Sequence, residues 1–147
     1  MTDAEHFEQE IDGRLSRHDY HGVYSHGCCF HFALTLHRLY GYELAYCKST
    51  AGGVEHCWAM KDSLTSIDIR GVMDETTLLK IIRYKSLPPA VLPITPEQLT
   101  AELTKKNFSD AMNARLFALA EEIILTHLRF GDAKPAGDVF KDDPDFK

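Results

Sequence analysis

The chain has 147 residues, of which 44% are hydrophobic and 26% are charged, as is typical of one globular domain that needs no disulfide. Sixteen basic against 22 acidic residues give a formal charge of −6, which argues against nucleic acid as the main partner, because phosphate binding needs a basic face. No apolar run approaches the ~20 residues of a membrane-spanning helix, and the acidic N-terminus lacks an apolar signal segment. We therefore expect a cytoplasmic protein that binds neither nucleic acid nor membrane.

The first part of the chain is predicted to form two helices. In the first, apolar side chains recur every four residues, which indicates an amphipathic helix. The second carries an apolar stripe and stops at a glycine, a common C-terminal signal. The predicted extents are residues 3–17 and about 29–40, with a loop rich in His, Tyr and Gly at 18–27 and the stop at Gly41.

Short apolar-rich runs separated by turn residues follow, and this pattern is typical of strands. The last two runs are close enough in sequence to form a hairpin around Asp62. The predicted strands are residues 43–47, 55–60 and 64–69, and Gly71 ends this section.

The rest of the chain is predicted to be mostly helical. Thr95 is a suitable N-cap, because Pro96 follows at the first helical position and Gln98 lies three residues after the cap. The predicted elements are a helix at 74–85, a proline-rich connector at 86–94, a helix after Thr95, a longer helix from Ser109 to about 130, and a flexible acidic tail at 132–147. This order predicts a single α+β domain over 1–131, in which a small antiparallel sheet packs on helices and the half at 73–131 is helical.

Four cysteines, at positions 28, 29, 47 and 57, form no CxxC pair. In a chain that is neither short nor exported, we expect them to be free thiols in a reducing compartment. Cys47 and Cys57 are predicted to be core residues. Strand alternation predicts that Cys57 points away from any site that its neighbour His56 faces.

The residues with the clearest chemical potential lie between 24 and 71. A nucleophilic cysteine must be ionised, and both a helix N-terminus and a neighbouring imidazolium favour the thiolate. Cys29 is predicted to begin a helix, and His56 lies on a strand that can face that helix end. In a hairpin centred on Asp62, Asp68 falls directly opposite His56 and can orient its imidazole.

This ordered set resembles the papain-like and transglutaminase-like cysteine superfamily, and in particular its small bacterial and phage members and papain-like toxin domains. The resemblance covers about residues 22–72, and its pieces are Gly27-Cys28-Cys29 at a helix start, His56-Cys57-Trp58 on a strand and Asp68-Ile69-Arg70-Gly71 on the next strand. It implies amide acyl transfer by a Cys29-His56-Asp68 triad on a protein or peptide substrate. Proteolysis, isopeptide cleavage, glutamine deamidation and cross-linking all stay open. No cofactor or metal is implied.

Two details of this site stay open in the sequence. Cys28 is an alternative nucleophile, although Cys29 better leads the apolar stripe of its helix. The family's glutamine upstream of the cysteine is missing, so an oxyanion hole needs the Cys29 backbone N–H plus another donor, for which Tyr24 and His26 are candidates. Trp58 shares the face of His56, either as core or as a wall of the cleft.

Three other interpretations use the same residues. An isolated buried cysteine, strand histidine or surface carboxylate is often purely structural. The chain is alternatively a degenerate papain-like fold that acts as a non-catalytic binding or inhibitory module, such as a phage-encoded protein. A weaker alternative is a zinc site, for which the candidate ligands are His26, Cys28, Cys29 and His56.

Overall fold

The computed structural model describes residues 2–25, 27–48, 53–82 and 91–127. Within these ranges the chain forms six helices and one open antiparallel sheet of five strands, so the predicted α+β class is confirmed. The helices are α1 (Asp3–Ser16), α2 (Tyr20–Ser25), α3 (Cys29–Tyr40), α4 (Glu75–Ile82), α5 (Pro96–Thr104) and α6 (Asp110–His127). The strands are β1 (Glu43–Lys48), β2 (Val54–Met60), β3 (Thr65–Asp68), β4 (Gly71–Asp74) and β5 (Val91–Ile94), and their order in the sheet is β4-β3-β2-β1-β5.

The segment predicted as a loop at 18–27 contains a short helix, so that prediction was wrong for α2. Asp19 precedes this helix, and its carboxylate accepts the Gly22 backbone N–H at 3.0 Å. The same carboxylate pairs with Arg14 at 2.7 Å, which fixes the cap against the end of α1. A polar cap therefore starts α2, and apolar periodicity does not reveal it.

Helix α3 has the predicted bounds, and glycines stand at both of its ends. Gly41 adopts the left-handed conformation at the C-terminus, where its N–H donates to the His37 carbonyl at 2.7 Å. Gly27, before the helix, has φ of +111°, and a β-carbon there would lie 2.3 Å from the Cζ atom of Phe7. A glycine is thus required where the chain turns into α3.

The sheet is larger than the sequence predicts. Gly71, which was expected to end the strand region, has φ of +106° and begins β4, which pairs back onto β3. Strand β5 lies inside the predicted proline-rich connector and pairs with β1 at the edge of the sheet. An edge position tolerates Pro93, because a proline has no N–H to donate to a ladder. The C-terminal half is therefore not purely helical.

The later helices start where capping predicts. At α5, Thr95 and Gln98 form a capping box and Pro96 occupies the first turn. At α6, the Ser109 hydroxyl accepts the Met112 backbone N–H at 3.1 Å. Some predictions lie outside the described residues. They are the C-terminal ends of the helices predicted at 74–85 and from Ser109 to about 130, the stop at Gly131 and the tail at 132–147.

Helix α3 packs on one face of the sheet along β2 and contacts α5 and α6 on its other side. The main core lies between these layers and includes Phe32, Leu36 and Leu116. Helix α4 lies against β3 and β4, and a smaller cluster around Trp58 and Leu78 occupies the opposite sheet face. This packing sets the first turn of α3 against the beginning of β2. Among the helices that the structure describes, none is long and apolar enough to span a membrane.

Candidate active site

Cys29 is the first residue of α3, as predicted. Its N-cap is Cys28, whose side chain makes no capping hydrogen bond. The first N–H groups of a helix have no partner inside the helix, and they create a positive potential at that end. The thiol of Cys29 therefore lies where a negative charge is favoured.

A chain of buried polar groups connects β2 with the turn after β3. The Nε2 atom of His56 is 2.9 Å from Oδ2 of Asp68. Arg70 binds the same carboxylate twice, because its guanidinium donates to Oδ2 at 2.6 Å and its backbone N–H donates to Oδ1 at 2.8 Å. Since Asp68 occupies Nε2, Nδ1 is the ring nitrogen left to face Cys29.

The ionisation of these groups follows from their contacts. Burial acts to lower the pKa of His56, but the hydrogen bond to Asp68 and the contact with Cys29 outweigh it and raise the pKa to about 9. Burial acts to raise the pKa of Asp68, but the charge of Arg70 and the hydrogen bond from His56 hold it well below its usual value. The pair is thus an imidazolium and a carboxylate at neutral pH.

The two neighbouring cysteines differ sharply. A hydrogen bond from the Cys57 thiol lowers the pKa of Cys29 against the opposing effect of burial, and the contact with His56 lowers it further. Burial raises the pKa of Cys28 to about 12, and the charge on Cys29 adds to this effect. Of the two candidates for the nucleophile, Cys29 is the one whose surroundings favour a thiolate.

The register that brings His56 to Asp68 differs from the predicted one. Strand β2 pairs with β3 through Ala59 and Ile67 and through Met60 and Ser66, so the hairpin is shifted by two residues. Because side chains alternate with a period of two, an even shift keeps each residue on its predicted face. His56 and Asp68 lie beyond the last paired residues, where their side chains bridge the two strands diagonally.

Cys57 does not point away from the site, so that prediction was wrong. It belongs to the core between the sheet and α3, where its thiol acts to lower the pKa of Cys29. The pairing of β1 with β2 jumps from Cys47–His56 to Lys48–Val54, which leaves a bulge beside His56. Cys57 itself lies on the regular part of the ladder and in the core with α3. The bulge lies on the other side of His56, where it can redirect the imidazole toward the same thiol.

The other predicted site residues have different surroundings. Trp58 is fully buried, stacks on His56 with ring centroids 5.8 Å apart, and donates its indole N–H to Met60 Sδ. The Tyr24 hydroxyl donates to the Leu116 carbonyl at 2.7 Å. This hydroxyl has one proton, so in this arrangement it does not serve an oxyanion. His26 lies outside the described residues.

The site is almost closed to solvent. Cys29, His56 and Asp68 are each 4% exposed. A substrate carbonyl therefore reaches the Cys29 sulfur only if neighbouring side chains move. Position 26 and the segment 49–52, which flank the site in sequence, lie outside the described residues.

Sequence reasoning missed two buried polar contacts near Cys29. Arg70 stands in the Asp-Ile-Arg-Gly motif, but the motif predicts no role for it. His31, in the first turn of α3, bonds through Nε2 to the Asn113 side chain at 2.9 Å and so connects α3 to α6. Burial lowers the pKa of His31, so a neutral ring is favoured. A histidine on an apolar helix face was the available signal for this contact.

The four cysteines and the candidate zinc ligands are the remaining predicted groups. All four cysteines are free thiols. Across the part of the chain that the structure describes, no group of three or more His, Cys, Asp or Glu side chains could hold a metal ion. His26, a member of the alternative zinc set, is not in that part.

Comparison of the chain with protein-family models, with curated proteins and with solved structures found no match. The site must therefore be interpreted from its own geometry.

Proposed function

We propose that the chain is a cysteine-dependent acyl-transfer enzyme that acts on an amide of a protein or peptide. Cys29 is the nucleophile, His56 the general acid and base, and Asp68 the residue that orients His56. The observation that carries the proposal is the hydrogen bond of 2.9 Å between His56 and Asp68, next to a cysteine at a helix N-terminus.

The reaction follows from these roles. The Cys29 thiolate attacks the carbonyl carbon, and the carbonyl oxygen takes the negative charge. The His56 imidazolium then gives its proton to the leaving nitrogen, the C–N bond breaks and a thioester forms. Water attacks the thioester while His56 accepts one of its protons, and the C–S bond breaks. The acid is released, and the Cys29 thiolate and the His56 imidazolium are restored. The Cys29 backbone N–H has no partner within its helix and can stabilise the oxyanion.

The finer assignment rests on the sequence resemblance. The order of a cysteine at a helix start, a histidine on one strand and an aspartate on the next supports a papain-like or transglutaminase-like fold. That family implies proteolysis, isopeptide cleavage, glutamine deamidation or cross-linking. Four free thiols support a reducing compartment such as the cytoplasm.

The first test is alkylation of the native protein by iodoacetamide across pH, with the labelled site identified by mass spectrometry. We expect rapid labelling of Cys29 below pH 7. In His56→Ala, labelling at pH 6.5 should fall about a hundredfold, because an unassisted thiol is only about 1% ionised there.

His37→Ala is the matched control. His37 lies near the far end of α3, where its ring bonds to the Tyr42 carbonyl at 2.8 Å, and it does not contact the site. It should label like the wild type. Labelling of Cys28 would overturn the assignment of the nucleophile.

A second candidate function is a non-catalytic protein-binding module with a degenerate papain-like fold. The observation that favours it is the 4% exposure of Cys29. This candidate predicts that native Cys29 labels slowly, with the pH profile of an ordinary thiol, and that His56→Ala changes nothing. Fast labelling below pH 7 would contradict it.

A further inference from the structure

Arg70 is a buried cation with an unusual set of partners. It lies in the turn between β3 and β4 and is 5% exposed. Its guanidinium and its backbone N–H bind the two oxygens of Asp68 separately. Its Nε atom is buried and has no hydrogen-bond partner within the part of the chain that the structure describes.

A buried arginine is costly unless its charge is paired, so its position calls for an explanation. Asp68 faces the same problem, because a carboxyl group buried without a counter-charge takes up a proton. A protonated Asp68 would lose the negative charge that stabilises the His56 imidazolium. Because the guanidinium does not lose its proton in proteins, it can keep Asp68 ionised over the whole working range of pH.

We infer that Arg70 is a positioning residue, which holds Asp68 ionised and in the rotamer that accepts the His56 N–H. The inference rests on the proposed function, since positioning matters only if Cys29 and His56 react. Two contacts on one carboxylate leave Asp68 little rotational freedom, and Oδ2 is shared between Arg70 and His56. Arg70 thus acts on Cys29 through two intervening side chains.

The charged groups around Arg70, Asp68, His56 and Cys29 belong to several elements. Among the described residues, Asp68 faces His56 of β2 and Arg70. Around the Cys29 thiol, Cys28 is adjacent, and His56 and Cys57 of β2 act on it directly. His31 of α3 and Cys47 of β1 also interact with the charge on Cys29. Lys106, after α5, acts on Cys28, His31 and Cys57. Loss of Arg70 therefore removes the permanent positive charge next to Asp68.

Loss of Arg70 should change the pH dependence of Cys29 alkylation. Without the guanidinium, Asp68 binds a proton more readily, and the thiolate loses a nearby positive charge. A protonated Asp68 no longer stabilises the His56 imidazolium. Both effects therefore favour the protonated thiol of Cys29, so the pH below which Cys29 stops reacting should move upward. We call the pH at which alkylation of Cys29 falls to half its maximum the acid midpoint. If Arg70 had a purely structural role, its loss would lower stability but would leave the acid midpoint unchanged in the molecules that stay folded.

The test is the pH profile of Cys29 alkylation in Arg70→Met and Arg70→Lys. For Arg70→Met we expect the acid midpoint of Cys29 to rise by a few tenths of a pH unit or more. This is less than the roughly 1–3 pH units that a directly adjacent opposite charge produces, because Arg70 acts through Asp68 and His56. Arg38→Met is the control, because Arg38 is an exposed arginine of α3 paired with Glu121, and its midpoint should not change. An unchanged midpoint in folded Arg70→Met would overturn the inference.

Arg70→Lys decides the question if Arg70→Met does not fold. The ammonium keeps the charge but not the planar fork that holds one carboxylate. We expect an acid midpoint close to that of the wild type and labelling that is several-fold slower. Labelling at the wild-type rate would overturn the positioning role.

The outcomes separate this inference from the proposed function. If wild-type Cys29 labels below pH 7 and His56→Ala abolishes this, the triad stands, and the Arg70 variants test Arg70 alone. If wild-type Cys29 labels only as an ordinary thiol, the proposed function and the Arg70 inference both fail.

Discussion

At the scale of single residues, the charge on Cys29 depends on two neighbours of the same strand. His56 supplies a positive charge, and Cys57 supplies a hydrogen bond. Burial alone would keep the thiol neutral, as it does for Cys28. The proposed nucleophile therefore differs from Cys28 in its contacts, since both cysteines lie at the start of one helix and both are buried.

Replacement of Cys57 should weaken the Cys29 thiolate. A hydrogen bond to a charged group contributes about 1.5–3 kcal/mol, so Cys57→Ala should raise the acid midpoint of Cys29 alkylation by about 1–2 pH units. The measurement is labelling of Cys29 across pH. Cys47→Ala is the control, because Cys47 is equally buried and lies across the ladder from His56, whereas the groups that lower the pKa of Cys29 are Cys57 and His56. A profile unchanged in Cys57→Ala would show that this thiol does not stabilise the charge.

At the scale of elements, the turn into α3 determines where Cys29 lies. Gly27 has a backbone conformation that other residues rarely adopt, and Phe7 of α1 packs where its side chain would be. The first turn of α3 is thereby held between α1 and β2. The position of the thiol thus depends on packing between elements as well as on the helix itself.

Gly27→Ala should therefore be destabilising, by about 1–3 kcal/mol for the backbone conformation alone, and it should slow alkylation of Cys29 because the helix start must shift. Urea unfolding and labelling measure the two effects. Gly13→Ala is the matched control. A β-carbon there, inside α1, would lie 3.5 Å from its nearest neighbour, and the substitution should stabilise by about 0.5–1 kcal/mol. Equal stability of the Gly27 variant and the wild type would refute this account of the turn.

At the scale of the whole molecule, Asp68 connects the sheet to the site through two cationic partners. The carboxylate lies beyond the paired part of β2 and β3, and it holds His56 from one strand and Arg70 from the following turn. The triad and the local fold therefore share one residue, so the same substitution affects both reactivity and stability.

Asp68→Asn should destabilise the fold by about 3–5 kcal/mol, because Arg70 is left buried without its anion. The depressed pKa of Asp68 means that its contribution is complete above its unfolded pKa of about 4 and is lost as the pH falls toward the folded value. The difference between wild type and variant in unfolding free energy should thus be constant between about pH 4 and about pH 6.5 and shrink in stronger acid. It should also shrink between about pH 6.5 and pH 9, because the raised pKa of His56 depends on Asp68.

Urea unfolding at a series of pH values measures this difference. Asp62→Asn is the control, because Asp62 is exposed and its carboxylate accepts hydrogen bonds within its own turn, from the Leu64 N–H at 2.9 Å and from Thr65. It should change stability little. A constant difference between wild type and Asp68→Asn down to strong acid would argue against an ion pair as the source of the stability.

The α+β class and most of the helices were predictable, because their signals are local. Apolar periodicity and capping residues such as Thr95 act within one or two turns and need no tertiary partner. The same local signals located Cys29 at the start of α3 and a histidine and an aspartate on successive strands. Strand β5 could not be predicted this way, because its pairing with β1 defines it. Helix α2 has a local cap in Asp19, but its six residues are too few for apolar periodicity to indicate a helix.

By itself, the sequence determined which residue types stand at a helix start and on neighbouring strands. Only the tertiary structure decided how they meet: a register two residues from the predicted one, the core between α3 and the sheet that Cys57 shares with Cys29, and Arg70 against Asp68. The physical reason is that register, bulges and burial are set by contacts between segments far apart in the chain. Local periodicity fixes the face on which a side chain lies, but the packing of α3 on β2 determines what that side chain contacts.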